Sequence, residues 1–224
     1  MDTLDKIRKM KENPNEIFSY LKEIAKLNEI CNAKGESLLA KQYEKINGIQ
    51  SGTALERYLN PNKRKSANSH KYAPIFPFGC NNSQYDAVTR AMNNQISVIQ
   101  GPPGTGKTQT ILNIIANILL QNKNVIVVSN NNAAIENVYE KLSKKENDLV
   151  FLVAKLGNSE NKKKFIENQI AASDRCKNWN LDFTTEISQE IIYEETRALK
   201  KLFDKQEAQS SLLQEKSQIE AEYH

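Results

Sequence analysis

The 224-residue sequence has few cysteines, histidines, glycines and prolines, with 3, 2, 8 and 6 of each. So little glycine and proline excludes a collagen-like or low-complexity chain. The cysteines are odd in number and far apart, and the histidines have no partner at metal-ligand spacing, which predicts a reduced cytoplasmic protein without disulfides or zinc. No apolar run approaches the roughly 18 residues of a membrane span, so we expect no membrane association.

Charge is divided unevenly along the chain. Residues 182–224 contain 10 acidic and 5 basic residues, which leaves 26 basic and 17 acidic residues in 1–181. A basic body of this kind suits nucleic acid or nucleotide phosphate, although charge balance says nothing about fold.

Three segments outside the central part have simple patterns. Residues 1–59 predict a helical N-terminal arm, with a helix that begins near Pro14 and a second helical stretch that is interrupted by glycine. Residues 60–79 contain three prolines and no acid, and predict a basic linker. Residues 182–224 predict a polar helical arm with a weak coiled-coil pattern.

The central residues 80–181 alternate between short apolar runs and helical patterns. The runs at 96–100, 125–129 and 149–154 predict buried strands, since strands covered on both faces are continuously apolar. Helices are predicted between them, at 108–121 and 132–145. Strand and helix alternating at this spacing predict an α/β fold with a parallel sheet.

The strongest motif is GPPGTGKT, which runs from Gly101 to Thr108 and matches the P-loop pattern between a predicted strand and a helix. Gly104 and Gly106 allow main-chain amides to approach a polyphosphate at the positive end of the helix. Lys107 supplies a cation for the β- and γ-phosphates, and the Thr108 hydroxyl supplies a ligand for Mg²⁺.

Amide side chains flank this motif on both sides. Gln84 has a donor and an acceptor with which to read adenine, although a glutamine near a helix start, behind a cap at Ser83 or Asn82, fits the same pattern. The asparagines at 130–132 follow the second predicted strand, where they cap the next helix, contact a ligand at the sheet edge, or do both.

Together, N-x-S-Q-x-x-A-V from Asn81, GPPGTGKT and N-x-A-x-x-N-V from Asn132 resemble the first RecA-like domain of superfamily 1 helicases. The branch is the nonsense-mediated-decay and replication-nuclease type, with AAA-type helicase domains. The resemblance implies a partial RecA-like core, ATP and Mg²⁺ as ligands, and hydrolysis through Lys107 and Thr108. The implied ATP-binding residues are Gln84, Gly101, Pro102, Pro103, Gly104, Thr105, Gly106, Lys107, Thr108 and Gln109. Asn131, Asn132 and Ala133 are implied to contact single-stranded DNA or RNA.

The sequence also lacks groups that the family needs for hydrolysis. No Asp-Glu dipeptide occurs, and none of the three apolar runs ends in an acid. We therefore expect the N-terminal portion of a larger helicase, which binds ATP, hydrolyses little of it alone and works with the rest of its own polypeptide. The alternative is a P-loop ATPase of chromosome-maintenance or defence type that acts as a clamp or nucleotide switch without unwinding.

Overall fold

A computed structural model describes residues 13–28, 30–32, 34–60, 73–144, 149–157, 159–168 and 189–222. The α-helices in these ranges are α1 (Pro14–Lys26), α2 (Leu38–Glu44), α3 (Ala54–Leu59), α4 (Asn82–Asn93), α5 (Lys107–Leu120), α6 (Asn132–Ser143), α7 (Ser159–Glu167) and α8 (Gln189–Glu222). A 3-10 turn, Val150–Leu152, lies between α6 and α7. The chain divides into two compact units, residues 1–70 with 93–98 and residues 71–92 with 99–224.

The first unit contains helices α1 to α3. Asn13 caps α1 by accepting a hydrogen bond of 3.1 Å from the amide of Asn15, and Pro14 occupies the first turn, where its missing N–H costs nothing. Phe18 of α1 is buried and stacks on Tyr43, with ring centroids 5.5 Å apart. The predicted helix start at Pro14 and the glycine-containing break between α2 and α3 are confirmed.

The second unit has its apolar core between helices α5 and α6. Leu112 and Ile115 of α5 pack with Val138 and Leu142 of α6, and all four side chains are buried. Both helices were expected at these places: α5 begins one residue before the predicted start and α6 begins at the predicted residue.

The predicted parallel sheet is wrong for the described part of the chain. Helices account for all the regular structure there, and the β-type pairing found in it is one antiparallel bridge between Cys31 and Ser37. The runs at 96–100 and 125–129 form neither strand nor helix, and part of the third run turns as Val150–Leu152. The α/β, RecA-like fold class is therefore corrected to a mainly helical architecture with irregular connecting segments.

The strand prediction was wrong because an apolar run is not sufficient evidence for a strand. Apolar character predicts which side chains leave water, but a strand also needs a neighbouring backbone to take its hydrogen bonds. Val125 packs against the α5–α6 core, whereas Ile126 and Val128 are 86% and 84% exposed. Only the first residue of this run is covered by the helices, and no strand pairs with the run in the described residues.

Most of the predicted linker and one predicted segment boundary lie outside the described residues. Of the basic linker at 60–79, residues 61–72 are not described, and the boundary between 181 and 182 is not described either. Beyond it, α8 runs over Gln189–Glu222, within the segment for which a helical arm is predicted. Among the described helices, none has the length and apolarity needed to span a bilayer.

Candidate nucleotide-binding site

The loop from Gly101 to Gly106 leads directly into helix α5, which begins at Lys107. Gly106 is the N-cap residue, and no side chain caps this helix end. The first amides of a helix have no acceptor within the helix, so they present partial positive charge at this end. Thr105 closes the loop on itself by donating its hydroxyl to the carbonyl of Pro102 at 2.9 Å.

Three glycines are required by the shape of this loop. Gly104 and Gly106 have φ angles of +85° and +78°, in the left-handed region that glycine adopts without steric cost. A Cβ atom on Gly101 would lie 2.6 Å from the Thr105 hydroxyl, and one on Gly106 would lie 2.2 Å from Nε2 of Gln84. The motif glycines are thus explained by backbone conformation and close approach.

The Lys107 side chain is exposed, and its ammonium lies across the loop. It donates to the carbonyls of Gly101 and Pro102, at 2.6 and 2.7 Å. Thr108 follows in the first turn of α5, half-buried, while the loop residues Pro102, Pro103, Gly104 and Thr105 are exposed. One cation, one hydroxyl and a set of helix-end amides therefore converge at an exposed loop.

Gln84, on α4, is 6% exposed and contacts this loop from its inner side. Its Nε2 atom lies 3.2 Å from the carbonyl oxygen of Gly106 and 3.1 Å from Oε1 of Gln109. Its Oε1 atom accepts from the main-chain amide of Asn81 at 2.9 Å. The structure thus brings together Gln84, Gly106 and Gln109, three of the expected ATP-binding residues, with the Gln84 carboxamide engaged by the protein.

The cap of α4 differs from the expected one. Asn81 accepts from the amide of Gln84 at 2.9 Å and also from the hydroxyl of Ser83. Asn81 is therefore the capping residue in place of Ser83 or Asn82, because its side chain is the one that reaches forward to the amide of Gln84, the third residue of the helix.

A row of buried amides on α5 ties the preceding segment to this helix. Gln109 donates to the carbonyl of Phe78; Asn113 accepts from the Phe78 amide at 3.1 Å and donates to the Gly79 carbonyl at 2.8 Å. Asn117 accepts from the Ile75 amide at 2.8 Å and donates to its carbonyl at 2.7 Å. Asn113 and Asn117 are 0% exposed.

This amide row was missed in the sequence. Residues 109, 113 and 117 are four apart, which places polar side chains on one stripe of an otherwise apolar helix. Buried polar groups are almost always hydrogen-bonded, so such a stripe indicates that main chain packs against it. The row holds residues 75–79 at a fixed place, and those residues lead into α4 and Gln84.

The asparagine loop before α6 lies on the surface. Asn131 caps the helix, accepting from the Ala133 amide at 2.9 Å, and its own amide donates to the Ser129 hydroxyl at 3.0 Å. Asn132 and Ala133 are exposed in the first turn. The capping interpretation is confirmed for Asn131, and the expected nucleic-acid contact stays a prediction.

Comparison with known proteins places this loop in a family. The family described as the AAA domain matches residues 79–224, the stretch that begins just before α4 and includes the loop and α8. The chain belongs to this AAA domain family.

Several relatives of this AAA domain are named as helicases, and others as regulators of nonsense transcripts. The chain is 28% identical over 131 residues to the DNA polymerase alpha-associated DNA helicase A of Saccharomyces cerevisiae, covering 56% of this chain and 19% of that protein. An uncharacterized ATP-dependent helicase of Mycoplasma genitalium is 46% identical over 59 residues, 26% of this chain and 5% of the relative. The regulator of nonsense transcripts 1 of Caenorhabditis elegans is 38% identical over 76 residues, which cover 34% of this chain and 7% of that protein. No solved structure matches.

These matches confirm the resemblance to superfamily 1 helicases and an AAA-type helicase domain, and they favour it over the clamp or switch alternative. The chain spans less than a fifth of the length of these relatives. The site described above therefore corresponds to one part of proteins that are much longer.

Proposed function

We propose that this chain is the ATP-binding portion of an ATP-dependent helicase, whose full-length form couples ATP hydrolysis to movement along a single nucleic-acid strand. The observation that carries the proposal is the loop at Gly101–Gly106, with two left-handed glycines and an uncapped helix end at Lys107. The names of the relatives support the reaction, because they are described as ATP-dependent helicases.

The loop offers a triphosphate three kinds of partner. Main-chain amides at the start of α5 point their donors and the positive helix end toward an anion. The Lys107 ammonium, which now contacts the carbonyls of Gly101 and Pro102, exchanges these neutral acceptors for charged phosphate oxygens. The exposed position of Gly104 and Thr105 leaves the phosphates room to enter.

Mg²⁺ is proposed to bind with the nucleotide through the Thr108 hydroxyl. A hydroxyl oxygen is a hard ligand of the type that Mg²⁺ prefers, and Thr108 directly follows Lys107 on the same helix turn. When bound, the ion would neutralise charge that develops on the phosphates during transfer. Thr108 orients the ion, while Lys107 acts on the phosphates directly.

Gln84 is proposed to read adenine, although its carboxamide is engaged by the loop. Its Nε2 atom has three acceptors within 3.1 to 3.5 Å, on Thr105, Gly106 and Gln109, but only two hydrogens to share. A carboxamide with competing acceptors can exchange one of them for a base at small net cost, since one hydrogen bond replaces another.

The nucleic-acid contact is proposed at the N-terminus of α6. Asn132 and Ala133 are exposed there, and the helix end that they begin is positive, which favours a phosphate of the strand backbone. Anisotropy of a labelled oligo-deoxythymidine and a labelled oligo-uridine tests this. Asn132→Ala is expected to weaken the binding of one or both oligonucleotides. Equal binding by the Asn132→Ala and wild-type chains would refute the proposed contact at Asn132.

Calorimetry with ATP and ADP tests the nucleotide site. Lys107→Ala is expected to weaken ATP binding by about tenfold or more, since a charge-assisted contact is lost. Lys123→Ala is the matched control, because Lys123 is an exposed lysine just beyond the other end of α5. Equal ATP affinity for the Lys107→Ala and Lys123→Ala chains would refute the proposed site.

A further inference from the structure

One face of the long helix α8 packs on helix α4. The residues that make the contact are Thr196, Lys200, Phe203 and Glu207, spaced four, three and four apart, which places them on a single helix face. Apolar side chains elsewhere on α8, among them Leu202, Leu212 and Ile219, are exposed. Half-buried apolar residues, Ile192, Leu199 and Phe203, lie on the same part of α8 as Thr196 and Lys200. The covered face therefore combines apolar packing with hydrogen bonds and an ion pair.

Lys200 is the centre of this contact. Its ammonium lies 3.2 Å from a carboxylate oxygen of Asp86 and 2.8 Å from the carboxamide oxygen of Asn82, both on α4. Asp204, on α8 itself, is also 3.2 Å away. Burial lowers the pKa of Lys200, but its bonds to Asp86 and Asp204 outweigh this and raise the pKa above its ordinary value. The ammonium is thus held in its charged form against α4.

Tyr85 supplies the buried part of the same contact. It is 9% exposed, stacks on Phe76 with centroids 5.2 Å apart, and meets the edge of Phe203 at 6.2 Å. Its hydroxyl donates to the main-chain carbonyl of Thr196 at 3.4 Å, and the Lys200 ammonium lies 5.6 Å above its ring. An aromatic ring held on several sides leaves α4 little freedom to rotate.

The other side of α4 carries Gln84, the residue that contacts the nucleotide loop. Gln84 is next to Tyr85 and two residues from Asp86, so a shift of one side of this 12-residue helix moves the other. The Gln84–Gly106 hydrogen bond is already 3.2 Å long, and a displacement of a few tenths of an ångström takes it beyond hydrogen-bonding distance. The position of α8 and the position of Gln84 are therefore mechanically linked.

We propose that Lys200, with Thr196 and Phe203, is a positioning residue for the nucleotide site, which acts through α4 on Gln84. The same link transmits nucleotide occupancy to α8, because a coupling between two sites is reciprocal. This inference rests on the proposed function, since it assumes that adenine nucleotides bind at the loop. Lys200 itself would contact neither the phosphates nor the base of the nucleotide.

The experiment measures ADP and GDP affinity of the 224-residue chain by calorimetry, with melting temperatures for every variant. Lys200→Ala is expected to weaken ADP binding about two- to fivefold, the range for a largely solvated ion pair, and to reduce the preference for ADP over GDP. Lys201→Ala is the matched control, because Lys201 is the adjacent exposed lysine of α8. Asp86→Asn removes the same ion pair from the other partner and serves if Lys200→Ala fails to fold.

A double-mutant cycle distinguishes positioning from general destabilisation. If Lys200 acts through Gln84, Gln84→Ala combined with Lys200→Ala loses no more ADP affinity than Gln84→Ala alone. Unchanged ADP affinity in both Lys200→Ala and Asp86→Asn, or losses that multiply in the double variant, would overturn the inference while leaving the proposed function in place. A wild-type chain that binds neither nucleotide would overturn both.

Discussion

Replacing Gly106 by alanine tests the loop geometry most sharply. At φ +78° an alanine sits in the left-handed region, which costs about 1–2 kcal/mol for a residue with a Cβ atom. The new Cβ would also lie 2.2 Å from Nε2 of Gln84, so the Gln84 carboxamide must move away. Gln84 is the flexible partner, and what it loses on moving is its contacts with the Gly106 carbonyl and Gln109.

These two contributions set the expected magnitude. Two hydrogen bonds of about 1 kcal/mol each, added to the backbone strain, give a loss of about 3–4 kcal/mol in the free energy of unfolding. Gly104→Ala is the matched control, because Gly104 has φ +85° but nothing within 4 Å of its Cβ position. It is expected to lose the backbone contribution alone, about 1–2 kcal/mol.

Urea denaturation of both variants, followed by circular dichroism, provides the measurement. In the double variant Gly106→Ala with Gln84→Ala the steric conflict is absent, so its loss should fall short of the sum of the single losses by about 2 kcal/mol. Equal losses for Gly106→Ala and Gly104→Ala, or strict additivity in the double variant, would refute the assigned contact between Gly106 and Gln84.

Two further predictions follow from buried groups in the second unit. Asn113→Ala leaves the Phe78 amide and the Gly79 carbonyl without their partner. Urea denaturation should therefore show a loss of about 2–5 kcal/mol in the free energy of unfolding. The exposed Asn130→Ala should lose less than about 0.5 kcal/mol, and similar losses in the two variants would contradict the prediction. Burial raises the pKa of the Cys80 thiol and, against an opposing effect of Lys200, the pKa of the Tyr85 hydroxyl, from ordinary values of 9.0 and 10.0. As the pH rises, the unfolded chain loses these protons before the folded chain does. The contribution of the two groups to the free energy of unfolding is therefore fully present below pH 9.0 and is lost as the pH rises above it. Denaturation at about pH 8 and about pH 10.5 should show this fall, reduced in Cys80→Ala, and stability that stays level would argue against the burial of both groups.

The conformation of the Gly101–Gly106 loop was predictable because its determinants are local. Positive φ at Gly104 and Gly106 and the helix that begins at Lys107 depend on residues adjacent in the chain. The start of α6 behind Asn131 is local in the same way, since a capping side chain reaches only two or three residues ahead.

The errors and omissions concern groups distant in sequence. The sheet prediction treated the run at 125–129 as buried on both faces, although strand pairing requires a partner that apolar composition does not specify. The docking of α8 on α4 was not predicted, because an apolar pattern indicates that a helix face is covered but not which element covers it. Lys200 and Thr196 contact Asn82 and Tyr85 of α4, which are 118 and 111 residues away in the sequence.

The central claim is that the main-chain amides at the start of α5 receive a polyphosphate. Amide chemical shifts of the ¹⁵N-labelled chain, recorded during titration with ADP and Mg²⁺, test it directly. We expect the largest shifts at Gly104, Thr105, Gly106, Lys107 and Thr108, with smaller ones at Gln84 and through α4. Shifts confined to other regions, or none at saturating ADP, would contradict the assignment of this loop as the phosphate site.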